Sequence, residues 1–324
     1  MTNWGIQKKI YNYQTYGTYT HGFYDSLVFS KFAAVLGGRM RLMVTGSAPI
    51  SKDTLEFLKI AFCCPINEGY GQTECCAAAS STHENDPEVG HIGGPYPACD
   101  FRLFDIPDMN YKSDDKDENG TPMPRGEICI RGANVFKGYF QMPDKTAETI
   151  DKSGWLHTGD VGVMNPNGSI RIIDRKKNIF KLSQGEYVAP EKLEGAFQQM
   201  PIVAQNFMYG DSLQSNMVGI IVPEKPEVEK WAKEENIEYG SYEDLLKMDK
   251  TKDYFIAELK KKGKESGFFG FEIPQKVFLS AEPFSVENEI LTPTFKIKRN
   301  DAKKYFYKEI KAMYGGAKLQ GEDD

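Results

Sequence analysis

No stretch of this 324-residue chain approaches the ~20 consecutive apolar side chains that a membrane-spanning helix needs. Basic residues are not in surplus either. Asp and Glu number 46 against 40 Lys and Arg, a net charge of −6, which excludes a broad nucleic-acid footprint. Cysteine is sparse: Cys63, Cys64, Cys75, Cys76, Cys99 and Cys129 form two adjacent pairs and two singles. That is neither a zinc spacing nor the framework of a disulfide-stapled secreted domain, so buried thiols in a reducing compartment are expected. Residues 1–20 are polar and aromatic and lack the apolar run of a signal peptide, giving an intracellular expectation. Internal repeats and low-complexity tracts are absent. The composition is that of a globular protein, 40% hydrophobic and 27% charged, with length for two domains and a core of normal size.

Residues 23–36 carry apolar side chains at helical spacing and stop at Gly37-Gly38. Residues 41–44 read as a short buried strand, closed by Thr45-Gly46-Ser47-Ala48-Pro49. Ser51 is placed to cap a helix running to Phe62, and the next strand begins at Cys64. Strand, helix, strand in this rhythm predicts a parallel α/β sheet with ligands at the strand ends. From residue 91 the pattern changes to short strands with frequent Gly and Pro, at 101–104, 126–131 and 169–173, predicting a small β-rich, barrel-like subdomain. Residues 105–124 read as a solvated acidic loop. Beyond Asp174, helices over 190–199, 228–236, 242–248 and 251–262, strands over 218–222 and 276–279, and a Lys-rich terminal helix make an α+β module. The basic segment 296–311 reads as a solvated helix face; contact with an anionic membrane is the alternative.

Four clusters carry chemistry. In Glu68-Gly69-Tyr70-Gly71-Gln72-Thr73-Glu74 the glycines let the backbone approach a ligand and Tyr70 offers a flat face for a base. Thr73 supplies a hydroxyl for a phosphate oxygen, and Glu74 a hard oxygen for Mg²⁺. In Gly154-Trp155-Leu156-His157-Thr158-Gly159-Asp160 an aspartate ends a tight loop, placed to accept both hydroxyls of a ribose. In Asp174-Arg175-Lys176-Lys177 a basic run suggests an interdomain linker, with Arg175 able to reach ribose or phosphate. In Leu291-Thr292-Pro293-Thr294-Phe295-Lys296 a lysine on an exposed loop could meet developing negative charge. Taken singly, each is also what an ordinary turn or solvated surface looks like.

In order, spacing and residue identity the four together resemble the acyl-adenylate-forming superfamily, over nearly the whole chain. Trp155 to Asp160, Ile172-Ile173-Asp174-Arg175-Lys176-Lys177-Asn178-Ile179-Phe180-Lys181-Leu182 and Gln184-Gly185-Glu186-Tyr187-Val188-Ala189-Pro190-Glu191-Lys192-Leu193-Glu194 resemble the eukaryotic long-chain fatty-acid–CoA ligases in particular. So do Ile106-Pro107-Asp108-Met109-Asn110-Tyr111 and Thr292-Pro293-Thr294-Phe295-Lys296. The resemblance implies the later part of an AMP-binding large domain over 1–173, α/β to residue 90 and β-rich over 91–173. A hinge at 174–177 and a small α+β domain over 178–324 would follow. It implies ATP-dependent activation of a fatty acid to acyl-adenylate and then acyl-CoA, with ATP, Mg²⁺ and coenzyme A. Tyr70 and Gly71, with Gly46, Ser47, Ala48 and Pro49, would line the adenine pocket. Thr73 would meet the α-phosphate, Glu74 would hold the metal, and Asp160 and Arg175 would bind the ribose. Lys177 would be the pivot, Lys296 the lysine at the reacting carboxylate, and Gly185 would lie by the pantetheine path. A carboxylate is already ionised at neutral pH, so charge neutralisation, not a general base, is the expected help.

Family members also carry a Gly/Ser/Thr-rich phosphate loop ending in lysine, upstream of the first motif. Tyr16-Gly17-Thr18-Tyr19-Thr20 has no such pattern. A fragment of a full enzyme, a partner-dependent half and a non-catalytic descendant are therefore alternatives, as is an adenylating enzyme with another acceptor. A peripheral position on the cytosolic face of endoplasmic reticulum or peroxisome membranes, through a segment further upstream, is the matching location; otherwise the cytoplasm.

Overall fold

The structure, a computed structural model, describes residues 2–84 and 86–320. The chain divides into two compact units, Met1–Lys176 and Lys177–Asp324.

The first unit opens with α1 (Thr2–Tyr16), α2 (Gly22–Tyr24), a π-helical turn at Asp25–Phe29, and α3 (Ser30–Val35). Gly37 and Gly38 close this segment at φ +81° and +69°, a left-handed stop that glycine adopts without a Cβ penalty. Then come β1 (Met43–Thr45), α4 (Lys52–Phe62) and β2 (Ile66–Tyr70). Ser51 Oγ accepts the Thr54 amide at 3.1 Å and so caps α4. α1 packs on α4 through polar contacts: Lys59 Nζ donates to Tyr13 Oη at 2.9 Å, and buried Lys9 donates to Asp25 and the Ile60 carbonyl. α4 returns the chain so that β1 and β2 run parallel, with Thr45 opposite Glu68. β3 (Ser80–Ser81) and β4 (Gly94–Pro95) extend the sheet antiparallel, so its parallel character is confined to β1 and β2. β1 is the edge of the order β1-β2-β3-β4. The expectation of a buried strand at 41–44 is corrected accordingly: Val44 is 68% exposed, because β1 pairs on one side only.

β5 (Cys99–Phe104), β6 (Arg125–Gly132), β7 (Leu156–Met164) and β8 (Ile170–Arg175) form an antiparallel meander in that order, with α5 (Pro143–Thr149) between β6 and β7. Ile128, Ile130, Leu156 and Ile170 interleave at its core with Tyr70 and Cys75. The acidic loop 105–124 is anchored by an ion pair, Arg125 Nε to Asp115 Oδ2 at 2.8 Å.

The second unit runs β9 (Phe180–Lys181), β10 (Tyr187–Val188), α6 (Pro190–Phe197), β11 (Val203–Gly210), β12 (Met217–Pro223), α7 (Lys225–Glu234), α8 (Tyr242–Lys247), α9 (Asp249–Glu265) and β13 (Lys276–Leu279). α10 (Arg299–Tyr305) and α11 (Tyr307–Met313) close it, where the sequence suggests one Lys-rich helix. β11-β12-β13 is a mixed sheet covered on both faces. Met208, Met217 and Ile221 pack with α6 and α9 through Phe197, Phe255 and Leu259. Phe207, Val218 and Ile220 pack with Phe306 and Ile310 on the other side. Every residue of β12 is buried, as a doubly covered strand requires.

All six cysteines are free thiols. Four are buried, but Cys76 is exposed and Cys63 half-buried, a departure from the expected uniform burial. Cys76 lies at the left-handed residue closing a short 3₁₀ turn, where its side chain leaves the core. Among the described residues, no helix is long and apolar enough to cross a membrane.

Candidate functional site

The loops leaving β1 and β2 lie side by side because those strands are parallel neighbours. A methyl group at Gly46 would stand 2.8 Å from the Gly69 carbonyl oxygen, so glycine is what lets the two loops approach. Ser47, next in the chain, holds φ +68°, and residues 46–49 are exposed. After β2 the chain doubles back, the Ala79 amide donating to the Tyr70 carbonyl at 2.8 Å. A methyl at Gly71 would fall 1.7 Å from the Ala77 carbonyl oxygen, so the doubled loop admits only glycine there. Thr73 starts the 3₁₀ turn Thr73–Cys75 and is exposed. Glu74 is half-buried; its Oε1 accepts from Tyr139 Oη at 2.5 Å, and that bond holds the Tyr139 phenol above its usual pKa.

β7 and β8 set Asp160 directly across from Arg175. Asp160 is 7% exposed. Its Oδ2 accepts from Tyr70 Oη at 2.8 Å, and Arg175 Nε lies 3.3 Å from its Oδ1. Burial, then the Asp160 charge, push the Tyr70 phenol well above its ordinary range, so it stays a donor. The structure thus gathers Tyr70, Asp160 and Arg175 into one polar cluster from three separate strands. The loop bearing Asp160 is held by Thr158 Oγ1, which donates to the Ile128 carbonyl at 2.6 Å and accepts the Asp160 amide at 3.1 Å.

One group escapes sequence reasoning. Glu127 and Cys129 on β6 meet His157 on β7, Cys129 and His157 being direct cross-strand partners. His157 Nδ1 is 3.4 Å from Cys129 Sγ and 3.4 Å from Glu127 Oε2. Glu127 Oε1 accepts the Gly159 amide at 3.1 Å, and Lys176 Nζ stands 3.4 Å from Oε2. Burial, reinforced by the Glu127 charge, pushes the Cys129 thiol far up, so it is protonated at neutral pH. The alternating Glu127-Ile128-Cys129 was the available signal, but nothing in sequence reveals the register that brings His157 opposite.

Lys177, Gly185 and Lys296 belong to the second unit. Gly185 occupies a turn at φ +96°, its amide donating to the Leu182 carbonyl at 2.8 Å. Lys296 sits on a hairpin turn: the Thr292 amide donates to its carbonyl at 2.8 Å and its own amide donates to Thr292 Oγ1 at 3.0 Å. Phe295, just before it, holds φ +60° and is 75% exposed. Among the described residues the Lys296 ammonium has no ion-pair partner.

Residues 13–140 match the model of the AMP-binding enzyme family. The chain is 47% identical over 292 residues to the peroxisomal long chain acyl-CoA synthetase 7 of Arabidopsis thaliana, covering 90% of this chain and 41% of that protein. It is 44% identical over 323 residues to fatty acyl-CoA synthetase A of Dictyostelium discoideum, covering 99% and 47%. Among solved structures it is similar to the A domain of the carboxylic acid reductase of Segniliparus rugosus, determined with AMP and a co-purified carboxylic acid. There the TM-score is 0.75 at 28% identity, over 92% of this chain and 43% of that one. The chain therefore spans about two-fifths to one-half of the length of the curated relatives it matches. The chain is thus similar over nine-tenths or more of its length to a segment of long-chain acyl-CoA synthetases, and residues 13–140 of it match the AMP-binding enzyme family.

Proposed function

We propose that this chain is part of a long-chain fatty-acid–CoA ligase that activates a fatty acid with ATP and transfers the acyl group to coenzyme A. In the first half-reaction the fatty carboxylate attacks the α-phosphorus and pyrophosphate leaves. In the second the coenzyme A thiol attacks the acyl carbon and AMP leaves. The observation that carries the reading is the convergence of Tyr70, Asp160 and Arg175 beside two loops whose glycines let the backbone close in. That arrangement offers a carboxylate with a guanidinium for ribose hydroxyls, the carboxylate held by the buried Tyr70. Binding a ribose asks the half-exposed Arg175 side chain to share Asp160 with the ligand.

Gly46, Ser47, Ala48 and Pro49 are assigned to one side of the adenine, Tyr70 and Gly71 to the other, and Thr73 to the α-phosphate. Thr73 and Glu74 offer a hydroxyl and a carboxylate, hard oxygen donors of the kind Mg²⁺ selects; Tyr139 engages one Glu74 oxygen and leaves the other. When bound, the ion would neutralise phosphate charge. Lys296, without an ion-pair partner among the described residues, is assigned to the developing charge at the reacting carboxylate, Lys177 within the hinge 174–177 to the pivot, and Gly185 to the pantetheine path. The domain reading is a large-domain segment to residue 173 and a small domain from 178. An intracellular location, in the cytoplasm or against the cytosolic face of endoplasmic reticulum or peroxisome, goes with this assignment. The peroxisomal name of the Arabidopsis relative supports it.

A partner-dependent reading is favoured by one observation: β1 is an edge strand whose apolar Val44 faces solvent. ATP–pyrophosphate exchange driven by palmitate and Mg²⁺ tests both. Exchange by the chain alone that falls ~100-fold or more in Lys296→Ala supports the first reading. Exchange only after co-expression with the remaining length of a relative supports the second. A folded chain inert in both settings overturns the catalytic assignment.

A further inference from the structure

Glu127, Cys129 and His157 have no part in the assignments above. Their donor atoms lie within 4.8 Å of one another, and two are deeply buried: Glu127 is 7% exposed and Cys129 is inaccessible. His157 Nδ1 forms two sides of a triangle, 3.4 Å to Cys129 Sγ and 3.4 Å to Glu127 Oε2. A tetrahedral ion holding sulfur at about 2.3 Å and nitrogen or oxygen at about 2.0–2.1 Å separates its donors by about 3.3–3.6 Å. Both measured sides match such an edge.

The other imidazole nitrogen also faces a carboxylate. His157 Nε2 faces Asp151 Oδ2 at 3.8 Å. An ion on Nδ1 leaves the ring proton on Nε2, toward Asp151, the arrangement that orients metal-binding histidines. Asp151 is itself fixed by the amides of Ser153 and Trp155, at 2.8 and 2.9 Å.

We propose that Glu127, Cys129 and His157 form a binding site for a thiophilic divalent cation of the zinc type. Asp151 orients the histidine and the fourth position is left to solvent. The mixed sulfur, nitrogen and carboxylate set selects such an ion over Mg²⁺ or Ca²⁺. His157, whose side chain is 29% exposed, provides the way in. Lys176 occupies the cation's electrostatic place beside Glu127 and is released on binding. The S–H bond of Cys129 breaks as the sulfur–metal bond forms, and the proton passes to solvent, so affinity rises with pH. Glu127 Oε1 keeps the Gly159 amide, while Oε2 turns from the lysine to the ion.

Cobalt(II) is the probe, because thiolate ligation gives it a charge-transfer band and tetrahedral geometry gives it strong ligand-field bands. The purified 324-residue chain carrying Cys63→Ser and Cys76→Ser, which removes the accessible thiols and leaves the cluster intact, is titrated with Co²⁺ and then Zn²⁺. One equivalent with both sets of bands, bleached by Zn²⁺ and releasing one proton, is the expected result. Asp151→Asn weakens binding about 10- to 100-fold. His157→Asn and Glu127→Gln weaken it at least as much, and Lys176→Met tightens it. Absence of the thiolate band in the folded double-serine chain overturns the proposal. So does a band unchanged by both His157→Asn and Glu127→Gln, which would place the ion on another cysteine.

Discussion

In the second unit Phe197, Phe207, Phe255 and Leu259 are at most 1% exposed, whereas in the first forty-odd residues Trp4, Phe23, Val35 and Val44 are 79%, 63%, 78% and 68% exposed. The two regions have similar kinds of side chain and opposite fates. The second unit closes a three-stranded sheet between two helical layers and covers both faces. The first region has one edge strand with a single neighbour, and its helices meet α4 through lysines and tyrosines as much as through apolar groups. Burial follows the number of layers that reach a residue, not its hydrophobicity.

The comparison is broken most directly by truncating one apolar residue in each region. Phe255→Ala should cost about 3–5 kcal/mol, because a fully buried phenyl leaves a cavity between α9 and the sheet. Val35→Ala should change stability by no more than about 0.5 kcal/mol. Urea unfolding followed by circular dichroism reads both. Equal effects would mean that Val35 is covered in solution, by a second copy or another chain.

A smaller effect separates backbone requirement from burial. Gly71→Ala forces a methyl into the Ala77 carbonyl, so the loop must open at a cost of about 1–3 kcal/mol, with loss of nucleotide-dependent thermal protection. Gly154→Ala, at a positive φ but with open space around it, should strain the turn by about 1 kcal/mol and leave nucleotide protection in place.

The smallest expected effect concerns Glu68, on the strand between these regions. Burial pushes its carboxyl up, opposed by the Gly90 amide, which donates to Oε1 at 2.6 Å. With a folded-state pKa above the unfolded one, the native state binds more protons. The contribution is therefore most favourable below the unfolded value and is lost as pH rises through the folded value. Glu68→Gln keeps an acceptor and should raise the melting temperature at pH 7 while leaving it unchanged near pH 4. A loss of stability at pH 7 would show that the ionised carboxylate is the favoured form.

Legibility divides along the same line. Ser51 capping α4, the Gly37-Gly38 stop and the span of β13 are readable locally, because caps, left-handed stops and apolar runs act within a few residues. α1 goes unread, since its buried face is built around Lys9 and Tyr13, residues that composition assigns to the surface. β11 also goes unread, its Gln205 and Asn206 breaking any alternation. The candidate site is half legible. Tyr70, Asp160 and Arg175 can be named from motifs, but their mutual hydrogen bonding depends on strands far apart in the chain.

By itself the sequence determined the family resemblance, the local caps and turns, and which residue types were available for nucleotide chemistry, because these depend on identity and short-range spacing. Only the tertiary structure decided that Val44 is exposed, that Asp160 is buried against Tyr70, and that His157 stands opposite Cys129 beside Glu127. The last of these follows from the irregular pairing of β6 with β7 between Glu127 and Cys129. A shift of one residue there would send His157 to the other face from Cys129.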